Sequence, residues 1–470
     1  MQYKAHLTGI KMLKSNIIMT TPICDFVGQY QASDTVRFHM PGHKGMIHLG
    51  MEVRDITEIK GADELYEADG IIAESEANAS RIFGTARTVY STEGSSQCVK
   101  AMIHLVSGLA DGKAVMLAAR NVHKAFIYGA ALADCDVEWL YATDNKSICE
   151  CVISARELED KLLNMKEENR LPVAVYITSP DYLGNVQDIK GIADVCHSFG
   201  VMLIVDNAHG AYLHFVGDGC HPIDLGADMC CDSAHKTLPV LTGGAYLHIS
   251  KNAIAKEYLI DNVKNVMAIY GSTSPSYLIL QSLDMCNRYL ANGYREKLSA
   301  CIVKLDEIRD RLSQYVLDTD DRLKITVKVP GISGERLAEL LRKYGGECEF
   351  ADKDYMVLMI TPDSDMRGVD CIYRAVDEAL NIADDVDDIS VKAVYAGTHE
   401  RRLSIRQAIF ADHMMVSVDD AVGMISASPI VSCPPAIPVV ASGEMITRDD
   451  IEIFRQYHMD KVDVVKPNQI

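Results

Sequence analysis

Nowhere does the sequence carry an unbroken apolar run of the ~20 residues that a membrane-spanning helix needs. The first 18 residues hold Lys4, Lys11 and Lys14 among scattered apolar residues, without the continuous core of a signal peptide. These absences predict a cytoplasmic chain. Positive charge is also scarce: 46 Lys and Arg stand against 66 Asp and Glu, a net charge of −20. Such a surface repels phosphate backbones and anionic lipid, which disfavours nucleic acid and membrane as partners. A cationic small molecule is compatible with that field. The 14 cysteines include no Cys-x-x-Cys pair and no paired framework, so they read as small core hydrophobes of a reducing compartment. Internal repeats and low-complexity segments are missing as well.

What is present is the balance of an ordinary globular protein, 48% hydrophobic and 24% charged, in a chain of 470 residues that is too long for one core. Between about residues 75 and 250, short apolar runs alternate with amphipathic helical stretches. The runs are Ala114–Leu117, Val137–Leu140, Val173–Ile177, Val201–Val205 and Ala245–Ile249; the stretches include His123–Ala133, Ala155–Met165 and Ile189–Phe199. That alternation predicts an α/β fold with a mostly parallel sheet covered on both faces. From about 300 the pattern becomes a smaller α+β unit, with strands at Leu323–Val329 and Met356–Ile360 and helices at Glu335–Tyr344 and Gly368–Asn381. Residues 400–470 mix helix with a Pro-rich loop at 433–438. The expected organisation is an N-terminal arm at 1–34, a large domain at 35–295 and a C-terminal α+β domain at 296–470.

Two strand ends carry chemistry. The run LIVD (203–206) places Asp206 at the carboxyl end of an apolar strand, the edge where ligands bind in open α/β sheets. Thirty residues on, Ser233-Ala234-His235-Lys236-Thr237 places a lysine in a small polar loop. Desolvation would depress its amine, so that it can form an imine with an aldehyde. An aspartate on the neighbouring strand end suits the proton of a pyridinium nitrogen. Lysine plus aspartate is the minimal protein kit for pyridoxal phosphate. A phosphate cup is offered by Gly94, Ser95 and Ser96, just before the helical stretch Val99–Leu109. His123, opening a helix, is a candidate to stack on the ring. Singly, each feature has a plain reading as a cap or a turn. Their order along the chain is what makes them a set.

These residues and their neighbours resemble the pyridoxal-phosphate-dependent ornithine/lysine/arginine decarboxylases of the aspartate-aminotransferase-like fold (fold type I), in a short form. The resemblance runs from about residue 21 to the C-terminus. It includes FHMPGHKG (38–45), DITEIKGADEL (55–65), Phe83-Gly84, Gly94-Ser95-Ser96, Arg120 to Lys124, Ser179 to Gly184, Asp206 to His209 and Ser233 to Thr237. It implies that Lys236 bonds the cofactor aldehyde, Asp206 pairs with the ring nitrogen and His123 stacks on the ring. Ser95 and Ser96 would hold the phosphate, Ser233 and His235 would flank it and the lysine, and Gly94 and Ala208 belong to the same cofactor shell. Ser272-Thr273-Ser274 resembles an interface loop in which Thr273 reaches the phosphate of a partner subunit, so a homodimer or higher homo-oligomer is expected. Glu444 resembles a residue that meets the distal cation of the substrate. His43 lies in a turn expected near the site mouth, and His209 or Lys236 is expected to return a proton to Cα.

The sequence departs from the family pattern at Asp181, Asn207, Cys433, Ala436 and the stretch 239–244. The expected activity is decarboxylation of arginine, lysine or ornithine to a polyamine-type amine. An aminotransferase, with Arg402 or Arg406 for the α-carboxylate, a lyase, a decarboxylase of a neutral amino acid and a non-catalytic cofactor-binding protein are the competing readings. No metal is expected: His39, His43 and His48 lack Cys or carboxylate partners at ligand spacing. The acidic runs at 318–321 and 384–388 read as solvated loops, and glycines 42, 45 and 50 follow no strand, so no dinucleotide fingerprint is claimed.

Overall fold

The structure is a computed structural model that describes residues 19–142, 147–383, 399–429 and 435–467. Residues 1–18 of the expected arm, the acidic run at 384–388, and Cys433 and Pro434 lie outside the described residues. The elements begin with α1 (Pro22–Ala32), α2 (Ile71–Phe83), β1 (Arg87–Ser91), α3 (Ser95–Ser107), β2 (Val115–Ala119), α4 (Lys124–Ala133) and β3 (Asp136–Leu140). They continue with α5 (Ala155–Glu167), β4 (Ala174–Thr178), α6 (Ile189–Ser198), β5 (Met202–Asp206), β6 (Met229–Asp232), α7 (Ala234–Thr237) and β7 (Ala245–Ile249). Helices α8 (Lys256–Ile269), α9 (Tyr277–Ala291) and α10 (Tyr294–Arg311) follow.

The seven strands form one sheet in the order β1-β7-β6-β5-β4-β2-β3, in which β3, β2, β4, β5 and β6 run parallel and β7 runs antiparallel to both its neighbours. The parallel strands are apolar nearly throughout because both faces are covered. One face packs on α3, α4 and α8 through residues such as Met102, Phe126 and Leu259. The other carries α5 and α6 through Leu158, Leu162 and Ile192. The five runs read from sequence coincide with β2, β3, β4, β5 and β7 to within a residue or two. Strand β1 is not among them, because RTVYS, as long as the others, is too polar to show an apolar run. Helix α3 begins four residues ahead of the expected start, so Ser95 and Ser96 sit in its first turn. Gly94, at φ +72°, makes that tight entry possible.

A second sheet is antiparallel: β8 (Lys324–Val327), β9 (Phe350–Ala351) and β10 (Met356–Met359), in the order β8-β10-β9, with α11 (Gly334–Lys343) and α12 (Val369–Ile382) packed against it. One apolar core joins this unit to α1, α2, α9 and α10, through Ile23, Phe83, Leu283, Leu305, Ile325 and Val376. The C-terminal stretch forms α13 (Ile405–Phe410), β11 (His413–Ser417), α14 (Arg448–Gln456) and β12 (Lys461–Val465), with β11 and β12 paired antiparallel across α14, a two-stranded sheet absent from the sequence expectations. Among the described residues, no helix is long and apolar enough to cross a membrane.

Candidate active site

The loops leaving the carboxyl ends of β2, β4, β5 and β6 meet the turn after β1 around a cavity of about 250 Å³. Its walls include Gly94, Ser95, Ser96, His123, Asp206 and Ala208, with His209, Ser233, His235 and Lys236 beside them. Ten of the residues named from the sequence therefore converge, from four separate strand ends, and the end of β4 adds Thr178 and Tyr182. Register explains part of this: Thr178 lies opposite Asp206, and Asp206 opposite Cys231, so the ends of β4, β5 and β6 are level.

Lys236 projects from the one-turn helix α7, with Nζ 2.7 Å from Nε2 of His209 and 5.9 Å from the centre of the Tyr182 ring. Burial lowers its amine below the ordinary lysine value, partly offset by the carboxylate of Asp206. Burial, and then the lysine charge, push His209 well below the usual histidine range. His209 is thus a neutral acceptor for the lysine N–H, and its Nδ1 is buried without a partner. Asp206 accepts from the Tyr176 hydroxyl at 3.0 Å, from the Ala208 N–H at 3.2 Å and from the Cys231 thiol at 3.7 Å. His123 caps α4, its Nδ1 accepting the Ala125 N–H at 3.1 Å, and burial takes it down to about 4. A neutral imidazole is therefore held at the pocket wall.

The cup is cross-tied. Ser233 Oγ donates to Ser95 Oγ at 2.7 Å, joining the lysine turn to the first turn of α3, and the Gly94 N–H donates to Gly243 O at 2.7 Å. A Cβ on Gly243, at φ +98°, would stand 2.9 Å from the carbonyl of Thr92. The stretch 239–244 thus departs from the family pattern yet closes beneath the cup, where His235 also hydrogen-bonds Gly244 O at 3.1 Å. Opposite, the Lys124 N–H donates to Ala436 O at 2.9 Å and brings Pro435, Ala436 and Ile437 onto the pocket. Ala436 holds φ +59°, the left-handed region in which glycine is at ease and alanine is strained.

Three residues named from the sequence sit elsewhere. Glu444 is 2% exposed, and its Oε2 accepts from Arg120 at 3.2 Å and from the Ala441 N–H at 2.8 Å. Its carboxylate balances a buried guanidinium and is not among the pocket-lining groups of this chain. His43 pairs with Asp55 at 3.2 Å, outside the pocket wall, and Thr273 is exposed on the loop before α9. Conversely, Asn121, Thr178 and Tyr182 line the cavity without having been assigned roles from the sequence. Thr178 had a readable signal, a polar residue ending an apolar strand as Asp206 does. Glu349 had none: it accepts the Tyr182 hydroxyl at 3.0 Å and is one of the charges felt by Lys236 and His235.

Pyridoxal phosphate fits these residues. Both side-chain polar atoms of Asn121 and the hydroxyl of Thr178 are buried on the wall with no protein partner, as expected of groups awaiting a polar ligand. The Gly94 turn leaves the entrance of α3 open, with two hydroxyls and a helix N-terminus for a dianion.

A sequence model described as Orn/Lys/Arg decarboxylase, major domain, matches residues 21–328. An arginine decarboxylase of Bacillus subtilis is 26% identical over 467 residues, covering 93% of each chain, and one of Halalkalibacterium halodurans is 26% identical over 466 residues, again covering 93% of each. Among solved structures, the constitutive lysine decarboxylase of E. coli superposes with a TM-score of 0.75 at 17% identity, covering 95% of this chain and 82% of its own. The lysine decarboxylase of Francisella novicida gives 0.77 at 18%, covering 96% and 82%. Those likenesses carry the fold; the match over 21–328 carries the family. With a lysine, an aspartate, a histidine and a hydroxyl cup around one cavity, the chain belongs to the Orn/Lys/Arg decarboxylase family and is a pyridoxal-phosphate-dependent amino-acid decarboxylase.

Proposed function

We propose that the protein decarboxylates a basic amino acid (arginine, lysine or ornithine) to its amine, as a homodimer with shared sites. The observation that carries the reading is the Lys236–His209 contact at 2.7 Å, across the cavity floor from an Asp206 held by Tyr176 and Ala208. Bound pyridoxal phosphate supplies the electron sink for loss of carbon dioxide. Lys236, its amine depressed by burial, is the nucleophile for the cofactor aldehyde. Asp206 would stabilise a proton on the ring nitrogen. Ser95, Ser96, Ser233 and His235 would hold the phosphate end, with Gly94 leaving the backbone open to it, and His123 would form the wall against the ring. Lys236 and His209 share a proton that either can deliver to Cα.

Because Glu444 is engaged by Arg120, the distal cation of the substrate falls to another acid. Glu349 is well placed for it. It sits at the hydroxyl edge of Tyr182, whose ring lies beside Lys236, so a cationic chain laid along that ring ends at a carboxylate. The second subunit is supported by residues 36–51, where Phe38 is 91% and Leu49 92% exposed beside other bare apolar side chains. The exposed Thr273 loop is then free to reach a partner's phosphate, and His43 belongs to the same rim.

The test is kcat/KM for arginine, lysine, ornithine, methionine and phenylalanine, with the amine identified by mass. Preference for a basic amino acid, with Glu349→Gln raising its KM by roughly three- to tenfold while kcat holds, is the expected result. Preference for a neutral amino acid, or a keto-acid product, overturns it.

A further inference from the structure

Behind the cavity lies a second, fully buried group of polar side chains that the chemistry above leaves unused. Asp232, the last residue of β6, accepts hydrogen bonds from Asn207 Nδ2 at 2.6 Å, from His221 Nε2 at 3.1 Å and from His248 Nε2 at 3.1 Å. Asp232, Asn207, His221 and His248 are all shut off from solvent. Phe83 roofs the group, its ring centre 4.6 Å from that of His248 and 5.8 Å from that of His221. Burial alone would raise the Asp232 carboxyl; the two imidazoles outweigh it and hold the group well below the ordinary carboxylate range.

The arrangement also satisfies the spacing of a metal site, since ligand atoms of His221, Cys230 and Asp232 lie within 4.8 Å of one another. Proton bookkeeping argues for hydrogen bonds instead. His221 Nδ1 faces the N–H of Ile223 at 3.4 Å and so accepts, which leaves the ring proton on Nε2, pointing at Asp232. Burial holds the Cys230 thiol well above its usual value, and its sulfur stands 3.8 Å from His221 Nε2. The outer nitrogen of His248 is taken by the Thr88 hydroxyl at 2.8 Å, which hydrogen-bonds on to Thr85 at 2.8 Å.

What this group touches gives it a role. Asn207 is the residue after Asp206, and Asp232 is the residue before Ser233, which opens the turn of Lys236. The Asn207–Asp232 bond therefore ties the two strand ends that carry the two anchors of the cofactor, alongside the backbone bond from Asn207 N–H to Cys231 O at 3.0 Å. We propose that Asn207 and Asp232, braced by His221 and His248, are positioning residues that set the spacing between Asp206 and Lys236 and hence the seat of the cofactor ring. The proposal rests on the roles given above to Asp206 and Lys236. Sequence alone showed Asn207 only as a departure from the family pattern; the structure supplies its partner.

The experiment uses the holoenzyme with Asn207→Ala, Asp232→Asn and the exchange Asn207→Asp with Asp232→Asn, which restores one donor and one acceptor across the bond. Each single change is expected to lower kcat about tenfold with KM within about twofold, because a small misplacement of anchors is felt in the chemical step. Each should also move the pH midpoint of the cofactor's visible absorbance by about half a unit, and the exchange should bring both readings back towards the parent. Singles that lower the melting temperature but leave kcat and the absorbance midpoint at parental values would make the group a structural staple and overturn the proposal. So would an exchange that folds to the parental melting temperature and recovers neither reading. Stoichiometric metal in the purified parent, lost in Asp232→Asn, would overturn the hydrogen-bond reading. If Asp232→Asn fails to fold, Asn207→Ala decides on the same two readings. Should no amino acid be decarboxylated at all, the absorbance still reports on the cofactor seat, so the two failures are told apart.

Discussion

The floor of the pocket and the loop at residues 36–51 are built in opposite ways. The floor, from Asp206 to Lys236, is buried, and its anchors are paired within the chain: Asp206 with Tyr176, Lys236 with His209, Ser233 with Ser95. The loop at residues 36–51 is polar inside and apolar outside. Arg37 donates to the carbonyls of Glu52, Val53 and Asp55, and the Glu52 carboxylate accepts the N–H groups of His48, Leu49 and Gly50. Those bonds organise a backbone whose Val36, Phe38, Met46, Ile47 and Leu49 side chains stand in solvent. A loop with so many internal ties is shaped, yet its apolar side chains are exposed among the described residues. The floor draws its partners from its own chain, whereas the loop at 36–51 leaves its apolar side chains in solvent.

The sharpest break in that comparison is at the floor. Lys236→Ala should abolish turnover, and borohydride reduction of the parent should leave a cofactor adduct on the Lys236 peptide, read by mass spectrometry; retained activity would refute the nucleophile assignment. Asp206→Asn should bind the cofactor but lose roughly two to three orders of magnitude in kcat, since an amide no longer stabilises the ring-nitrogen proton; Asp206→Glu should fall between. At the 36–51 loop the effect is smaller and depends on concentration. Leu49→Asp should shift the chain towards monomer in sedimentation and cost activity that returns at high protein concentration, because charge is placed in the apolar contact. In mixtures, a Lys236→Ala chain and a Thr273→Ala chain should complement each other in the heterodimer if the sites are shared.

The smallest effect concerns acid. His123 has its proton affinity lowered from an ordinary 6.5 to about 4, chiefly by burial. Between those values the unfolded chain binds the proton that the folded chain refuses, so this residue makes stability fall as pH drops from about 6.5 towards 4. The cofactor-free protein should show that fall in melting temperature, and His123→Gln should flatten it. Asp181 works the other way, raised to about 6 by burial, and favours the folded state on the acid side.

Much of the floor was legible because it is encoded locally. An apolar run that ends in Asp206, a glycine before two serines, and a histidine at a helix start are each written within five or six neighbouring residues. The parallel sheet then brings them together, since the strands share a direction and their carboxyl ends share an edge. Helix α3 was read late because its first turn is polar, made of the residues that form the cup.

By itself, then, the sequence determined which side chains stand at the strand ends, the alternation that makes the sheet, and the family. Tertiary structure alone decided which charges are spent and which are free. Glu444 looked available until Arg120, 324 residues away in the chain, was found holding it. Glu349 gained its place only through Tyr182, 167 residues distant, and Asp232 found His221 and His248 only once β6 and β7 had paired. The physical reason is that secondary structure follows from neighbours in the chain. The state and purpose of a buried charge follow from whatever the completed fold places within about 3 Å of it, and spacing in sequence carries no trace of that.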